Sequence, residues 1–367
     1  SLDADIVKIA AMANQPRDNV RMLNLIRNAK VPTIGICMGD IGLPTRILAG
    51  KFGAPFTYCT FHHERALAPG QLSFQQMTEI YHYDSIRPDT EVYGVVADPV
   101  GHSLSPLIHN AAFHHLGMNK VYVPFRVPRE DLDQFIEDAP KLDVKGLSVT
   151  IPHKEAVISK LTEADGAVRG IGACNTVVFE GDKRFGYNTD YRAAMVSLEE
   201  ALHIQPGTEQ PLKGKTALVL GAGGVGMAIT YGLVRRGAHV VLTDIVARQA
   251  QAVAQRFNAR AVDWAARHHV KADLLFNCTP VGMHPNVDET PYDKHYLRPS
   301  MVVFDAVYNP ENTLLIKDAR SRNCTVITGV DMFVRQAALQ FKYFTGQDGP
   351  AELMRETIKR ATAAVKL

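Results

Sequence analysis

At 367 residues the chain is long enough for two or three domains with substantial cores. Hydrophobic residues make up 46% and charged residues 21%, a balance that excludes extended disorder. The 40 basic and 38 acidic residues leave a net charge of +2, too even for an electrostatic contact with nucleic acid or a polybasic contact with a membrane, so small molecules are the expected partners.

The five cysteines (Cys37, Cys59, Cys174, Cys278, Cys324) are widely spaced and mostly sit in apolar runs, as buried thiols of a reducing compartment do. No metal-ligand spacing is present, and no metal is expected. With no apolar N-terminal leader and no run of about 18 apolar residues, the expected location is the cytoplasm.

Strand and helix signals alternate almost throughout. Residues 1–83 read as three βα units: strand 4–12 with helix 17–29, strand 33–38 with helix 43–53, and strand 56–61 with helix 73–83. Lys8 stands in the middle of the first strand, whose flanks read as buried, and a buried ammonium is costly, so it is either a surface lysine on an edge strand or half of a chemistry whose other half is absent. The polar, proline-containing stretch 84–91 reads as a linker. Residues 92–204 form a second α/β block, and 205–330 a third, entered through a loop with Pro206 and Pro211. The tail, 331–367, carries two amphipathic helices with no strand left to pair.

The third block holds the clearest motif. Strand Lys215–Leu220 runs into Gly221-Ala222-Gly223-Gly224-Val225-Gly226, a helical pattern follows, and a second strand ends at Asp244. In that context the glycines let a pyrophosphate approach the backbone at a helix N-terminus, and an acid about 20 residues on meets a ribose diol. A tight glycine turn that binds nothing is the weaker reading.

The second block holds polar clusters at strand ends: Ser103 and Ser105, then Ser148, Thr150 and Lys154, then Asn175, then Asn188 and Asp190. Open α/β sheets bind ligands outside the carboxyl ends of their strands, so these groups can share a crevice. Singly, each has a plain alternative as a helix cap, turn former or solvated charge. Together, beside a nucleotide fold, they suit a small polyhydroxy acid.

In this order from residue 101 to 337, GHSLSP, SVTIPHK, GACNTV, GYNTDY, LGAGGVG, NCTPVGM, DAVYNP and GVDMFVRQA resemble the shikimate dehydrogenase family. The resemblance implies an α/β substrate domain, a Rossmann domain, and C-terminal helices packed back on the first. The implied activity is reversible NAD(P)-dependent oxidation of shikimate to 3-dehydroshikimate. By resemblance, Lys154 and Asp190 are catalytic, and Ser103, Ser105, Thr150, Asn175, Tyr308 and Gln336 bind substrate. The cofactor set is Gly221, Gly223, Gly224, Gly226, Asp244, Thr279, Gly329 and Met332. Ser148 and His153 depart from the bacterial pattern, where Asn and Phe are usual, and SxTIPHK is similar to the bifunctional plant-type enzymes. A quinate-preferring dehydrogenase and a catalytically silent ligand sensor are the alternatives, and the intact Lys154 and Asp190 argue against the sensor.

Those plant-type enzymes carry a class I 3-dehydroquinate dehydratase barrel ahead of the dehydrogenase, and residues 1–83 resemble its last three βα units. VKIA, GLPTRIL and ALAPGQLS carry the resemblance. It makes Lys8 the imine-forming lysine and Arg46 and Gln71 substrate ligands, while Leu67 stands where the family has serine. Three units cannot close an eight-strand barrel. Dehydratase activity is therefore expected to be absent, and the open edge to be covered by the dehydrogenase, another subunit or the missing barrel half.

NADP-using relatives end the second Rossmann strand with Asn-Arg-Thr and place another arginine four residues later. This chain has Thr243-Asp244-Ile245-Val246-Ala247-Arg248-Gln249, with neutral residues at both clamp positions. NAD is the expected preference, with NADP possible through Arg248.

Overall fold

The computed structural model describes residues 4–61, 68–101 and 103–363. Leu67, with its expected dehydratase-loop position, and His102 of the GHSLSP motif lie outside them. By packing, the chain divides into two units. The first comprises Ser1–Ala164, Cys174–Tyr187 and Gln340–Thr357, and the second Asp165–Ala173, Asn188–Leu339 and Ile358–Leu367.

The first unit opens with β1 (Val7–Met12), α1 (Arg17–Asn28), β2 (Thr33–Met38) and α2 (Leu43–Leu48). Helix α1 starts after Pro16, whose missing N–H costs nothing at a helix start, and turns Val20, Met22, Leu23 and Ile26 inward. Strands β1 and β2 pair in parallel, from Val7 opposite Thr33 to Met12 opposite Met38. β2 is buried, but β1 is not: Lys8, Ala10, Ala11 and Met12 are exposed. The expectation of a buried first strand is thus corrected. Among the described residues β1 pairs on one side only, and burial is set by neighbours, which the strand's own apolar residues do not reveal.

The third expected strand, 56–61, is reduced to one bridge between Thr60 and Ser73. Thr60 donates to the Leu72 carbonyl at 2.8 Å and accepts from the Phe74 N–H at 2.7 Å, so this segment pairs with the chain just ahead rather than extending β2. The helix expected over 73–83 is likewise cut back, with a π-helical turn at Gln76–Ile80.

Polar contacts tie the N-terminal segment to the rest of the unit. Arg17 pairs with the buried Asp138 at 2.8 Å and Lys51 with Asp143 at 3.0 Å, and the rings of His82 and His114 stack 3.9 Å apart. These contacts leave the outer edge of β1 uncovered among the described residues.

The main sheet of this unit is mixed, in the order β4-β3-β5-β7-β8-β6. Its strands are β3 (Glu91–Ala97), β4 (Lys120–Arg126), β5 (Val144–Val149), β6 (Glu163–Ala164), β7 (Thr176–Glu180) and β8 (Lys183–Tyr187). Helices α3 (Ser105–His115) and α4 (Leu132–Asp138) accompany it. β3 and β5, buried on both faces as parallel strands are, carry apolar residues almost continuously.

The second unit contains α5 (Gly166–Ile171) and α6 (Thr189–Ala201), then a parallel six-stranded sheet in the order β11-β10-β9-β12-β13-β14. Its strands are β9 (Thr216–Leu220), β10 (His239–Thr243), β11 (Arg260–Ala261), β12 (Leu274–Asn277), β13 (Val302–Asp305) and β14 (Thr325–Ile327). The connecting helices include α7 (Gly224–Arg235), α8 (Ala247–Phe257) and α9 (Leu314–Ser321). This is the doubly wound order of dinucleotide-binding folds, with its switch point between β9 and β12. Two helices end the chain, α10 (Gly329–Thr345) and α11 (Ala351–Ala363). The last turns of α10 belong to the first unit, where Phe341 packs on Phe113 with ring centroids 5.3 Å apart and the Phe344 carbonyl accepts from the Tyr93 hydroxyl at 3.0 Å.

Candidate active site

In the first unit, the loop after β5 and the turn before β7 are clipped together by backbone hydrogen bonds. The N–H of Cys174 donates to the Lys154 carbonyl at 2.7 Å, and that of Val149 donates to the Asn175 carbonyl at 2.8 Å. Thr150 and Lys154 are therefore held beside Asn175, which is 2% exposed. Ser105 is buried at the start of α3, and its N–H donates to the Ser103 hydroxyl at 3.3 Å. His153, flagged by its departure from the bacterial pattern, is fully buried, and its Nε2 donates to the Val127 carbonyl at 2.7 Å. That bond pins the residue before Lys154, and burial holds the imidazole pKa below its ordinary value.

Ser148 lies inside a buried chain of hydrogen bonds that the sequence motifs did not reveal. The Tyr122 hydroxyl donates to Ser148 Oγ at 2.6 Å, and Ser148 donates to Gln340 Oε1 at 2.8 Å. Gln340 Nε2 then donates to the Asn175 carbonyl at 2.9 Å and to Thr176 Oγ1 at 3.0 Å, while Thr176 donates to Asn175 Oδ1 at 2.9 Å. His109 stacks on Tyr122 at 4.4 Å, and burial pulls its pKa down to about 3, so it stays neutral. The one local signal for Gln340 was its position a helical turn beyond Gln336.

In the second unit, Asp190 sits in the first turn of α6, whose N-cap, Asn188, accepts from the Tyr191 N–H at 3.1 Å. Asn188 also donates to the Ala173 carbonyl at 2.8 Å, so it is a structural pin rather than a free amide. Gln336 accepts from the Thr189 hydroxyl at 3.5 Å, which brings α10 beside the turn that carries Asp190. Tyr308 stacks on Phe333 at 4.2 Å, and burial pushes its phenol up to about 12.

The cofactor set converges at the carboxyl ends of the parallel strands. Gly221 has φ +94°, in the left-handed region that favours glycine, and a Cβ at Gly226 would lie 2.0 Å from the Gly221 carbonyl oxygen. Glycine is required at these two positions, and the turn leads directly into α7 at Gly224. Asp244, just past β10, accepts from the N–H groups of Ala222 and Val246, each at 2.8 Å. The cradle and its carboxylate fit a dinucleotide, with backbone donors for the pyrophosphate and an acceptor for the ribose. Thr279 follows β12, and Gly329 and Met332 begin α10. A Cβ at Gly329 would lie 2.1 Å from the Val307 carbonyl oxygen, so α10 starts against the strand-end loop that carries Tyr308.

Of the dehydratase-type residues, Lys8 is exposed, with its ammonium over the Tyr58 ring at 4.0 Å. Arg46 is 2% exposed, with Nε lacking a partner among the described residues and its pKa lowered by burial, and Gln71 is half-buried. Among the described residues no group of three or more His, Cys, Asp or Glu is placed to hold a metal ion.

Family models match four stretches. Residues 95–177 match the shikimate dehydrogenase substrate binding domain and 329–359 the shikimate 5'-dehydrogenase C-terminal domain. Residues 1–88 match type I 3-dehydroquinase, and 216–303 match the coenzyme F420-dependent NADP oxidoreductase model. A shikimate dehydrogenase (NADP(+)) of Methanopyrus kandleri is 40% identical over 286 residues, which cover 75% of this chain and 97% of that protein. The chain belongs to the shikimate dehydrogenase family. It is an oxidoreductase of that family, with a segment of type I dehydroquinase ahead of the dehydrogenase domains.

The bifunctional 3-dehydroquinate dehydratase/shikimate dehydrogenase of Arabidopsis thaliana, a chloroplastic protein, is 40% identical over 361 residues, 95% of this chain. The chain spans 60% of that relative's length. Among solved structures, the quinate dehydrogenase of Corynebacterium glutamicum in complex with NAD is 32% identical, with a TM-score of 0.66, and covers 74% of this chain and 99% of its own. Shikimate dehydrogenase family members thus include proteins named for NADP(+) and one solved with NAD.

Proposed function

We propose that this chain catalyses the reversible NAD(P)-dependent oxidation of shikimate to 3-dehydroshikimate, a step of aromatic amino acid biosynthesis. The observation that carries the reading is the presence in one chain of a built dinucleotide cradle at Gly221–Gly226 and of clipped loops that carry Thr150, Lys154 and Asn175. Of the residues assigned to the reaction, Ser103, Ser105, Thr150, Lys154 and Asn175 lie in the first unit, and Asp190, Tyr308 and Gln336 in the second. When bound, the nicotinamide supplies the hydride acceptor.

Lys154 takes up the hydroxyl proton as the alcohol is oxidised and returns it in reduction, and Asp190 orients the amine and shares its proton. Ser103, Ser105 and Tyr308 bind the substrate carboxylate. Thr150, Asn175 and Gln336 bind the ring hydroxyls, and a site built to hydrogen-bond hydroxyls rejects analogues that lack them. NAD is the preferred cofactor in this reading, because Asp244 offers an acceptor to a ribose diol and repels a phosphate. In sequence, residues 92–204 are the substrate-domain segment, 205–330 the cofactor-domain segment and 331–367 the C-terminal helices, with 84–91 as linker to residues 1–83; by packing, 165–173 and 188–204 group with the cofactor segment and 340–357 with the substrate segment.

The N-terminal segment does not perform dehydratase turnover by itself, since Lys8 stands in solvent rather than in the desolvated pocket that imine chemistry requires. The exposed edge of β1 is covered by further βα units of a dehydratase barrel or by another subunit. The location is the cytoplasm, in keeping with five free cysteines; no helix among the described residues is long and apolar enough to cross a membrane.

Quinate preference is the second reading, favoured by the likeness to the Corynebacterium glutamicum enzyme. Absorbance at 340 nm with shikimate or quinate, and NAD or NADP, tests all of this. No cofactor reduction with either acid would remove the enzyme reading, and the ratio of kcat/KM values chooses the substrate.

A further inference from the structure

We propose that Asp305 is a positioning residue that sets both Thr279, on the cofactor side, and Tyr308, on the substrate side. The inference rests on the roles given to those two residues in the proposed function. Asp305 is the last residue of β13, and its side chain is fully buried. Three donors converge on its carboxylate. Oδ1 accepts from Asn277 Nδ2 at 2.9 Å and from the Val307 N–H at 3.0 Å, and Oδ2 accepts from the Thr313 hydroxyl at 2.6 Å.

Each bond leads to a different piece of the site. Asn277, also fully buried, turns its Oδ1 to the N–H and hydroxyl of Thr279, at 3.0 and 2.6 Å. Val307 is the residue before Tyr308, and its carbonyl is the atom against which Gly329 packs. Thr313 is the N-cap of α9 and accepts from the Ile316 N–H at 3.2 Å. One carboxylate thus joins the loop after β12, the loop after β13 and the start of α9.

A carboxylate is an unfavourable choice for this position unless its charge is used. All three donors are neutral, and among the described residues no lysine, arginine or histidine pairs with Asp305. A buried charge so held costs desolvation, which an apolar residue would avoid. An amide would keep one acceptor oxygen for Asn277 and Val307 and would turn its N–H groups toward the Thr313 hydroxyl, whose own proton then loses its acceptor. The ionised form alone satisfies the whole set.

Burial pushes the Asp305 pKa up to about 6, with the Thr313, Val307 and Asn277 bonds pulling it back. The ionisable neighbour is Cys278, whose own pKa is pushed up by burial and by the Asp305 charge, so it remains a thiol. As pH falls through about 6 the carboxylate gains a proton and can no longer accept from all three donors at once, so the join between Asn277, Val307 and Thr313 is loosened.

The test is NADH binding, read from the cofactor's own fluorescence across this pH range, with shikimate KM measured alongside. Wild-type affinity is expected to fall as pH drops through about 6. Asp305→Asn, with an unchanged circular-dichroism spectrum, should bind NADH about tenfold more weakly at neutral pH, raise shikimate KM, and lose the pH dependence. Thr313→Val removes one bond to the ionised form, so its affinity midpoint should move to higher pH. A merely structural role would lower the active fraction and leave that midpoint in place.

NADH affinity within about twofold of wild type in both variants, or a wild-type affinity that is flat with pH, overturns the inference. If Asp305→Asn does not fold, the midpoint of Thr313→Val decides alone. Because binding is read without turnover, a wild-type protein that binds NADH but oxidises neither acid would defeat the proposed reaction while leaving the control of Thr279 by Asp305 measurable.

Discussion

Asp244 Oδ2 accepts a hydrogen bond from the backbone N–H of Ala222 at 2.8 Å, so the carboxylate past β10 is fastened to the glycine turn after β9. Its other oxygen is held by the Val246 N–H, also at 2.8 Å. Each oxygen keeps a lone pair that can accept from a ribose hydroxyl, and the fixed negative charge opposes a 2′-phosphate. Ile245 is 81% exposed beside it, and Gln249 donates to the Ala222 carbonyl at 3.3 Å, so neither neighbour supplies a cation. The wild-type protein should show a higher kcat/KM with NAD than with NADP, and Asp244→Asn with Ile245→Arg should move that ratio toward NADP by about tenfold or more. A wild-type preference for NADP of about tenfold would show that Asp244 does not discriminate as argued, and would align the chain with its Methanopyrus kandleri relative.

Replacing Lys154 tests the proton-transfer assignment. Backbone bonds hold its loop, from Cys174 to the Lys154 carbonyl at 2.7 Å and from His153 to the Thr150 carbonyl at 2.8 Å, so truncating the side chain leaves the loop in place. Lys154→Ala is expected to lower kcat by about 10²–10⁴ with little change in melting temperature. A kcat within a few-fold of wild type would remove Lys154 from the chemistry.

Ser148 both accepts and donates, between Tyr122 at 2.6 Å and Gln340 at 2.8 Å. Ser148→Ala leaves a buried phenol and a buried amide oxygen each without this partner, a loss of about 1–3 kcal/mol in stability. Gln340 also holds the Asn175 carbonyl, so shikimate KM should rise severalfold while kcat changes less. Urea unfolding and steady-state kinetics on the same preparation read both effects. An unchanged KM in a destabilised variant would mean that the chain of bonds supports the fold and not the substrate.

The parts of the site that the sequence made legible are those with local causes. Gly221, Gly223, Gly224 and Gly226 fall within six residues, and the strand and helix flanking them are equally local, so their turn was readable in advance. Asp244 followed from the next strand end. The buried relay was not readable, because Ser148 and Gln340 are 192 residues apart and Tyr122 and Ser148 are 26 apart. Asp305 and Asn277 are separated by 28 residues and meet because β12 and β13 are neighbours in register. Lys8 was left undecided for the converse reason: its own strand looks like a core strand, and the exposure of β1 among the described residues decides for a surface lysine on an edge strand.

That exposure gives the N-terminal segment a direct test. Borohydride with 3-dehydroquinate should leave Lys8 unmodified in this chain, by mass spectrometry of the peptide, and no dehydratase turnover should be seen. The ammonium sits over the Tyr58 ring at 4.0 Å, an exposed cation–π contact worth about 0.5–1 kcal/mol, which does not desolvate the amine as an imine-forming lysine needs. Stoichiometric reduction onto Lys8, accompanied by turnover, would show that the pocket is assembled after all.

Asp305 sets a stability trend opposite to that of a salt-bridged carboxylate. Its pKa in the folded protein is raised to about 6 from the ordinary 3.8, so the folded state binds the proton more tightly than the unfolded chain does. Its favourable contribution is complete below about 3.8 and is lost as pH rises through about 6. The loss is on the order of 2–3 kcal/mol, taking about 1.4 kcal/mol per pKa unit. Asp305→Asn carries no such group. The stability of wild type minus that of the variant, from urea unfolding at each pH, should therefore fall between about pH 4 and about pH 7, while all other titrations cancel in the difference. A difference that stays constant over that range would mean that the carboxylate titrates normally. The fall comes in the range where ionisation lets Asp305 satisfy Asn277, Val307 and Thr313 together, so the charge that weakens the fold is the one that sets the loops.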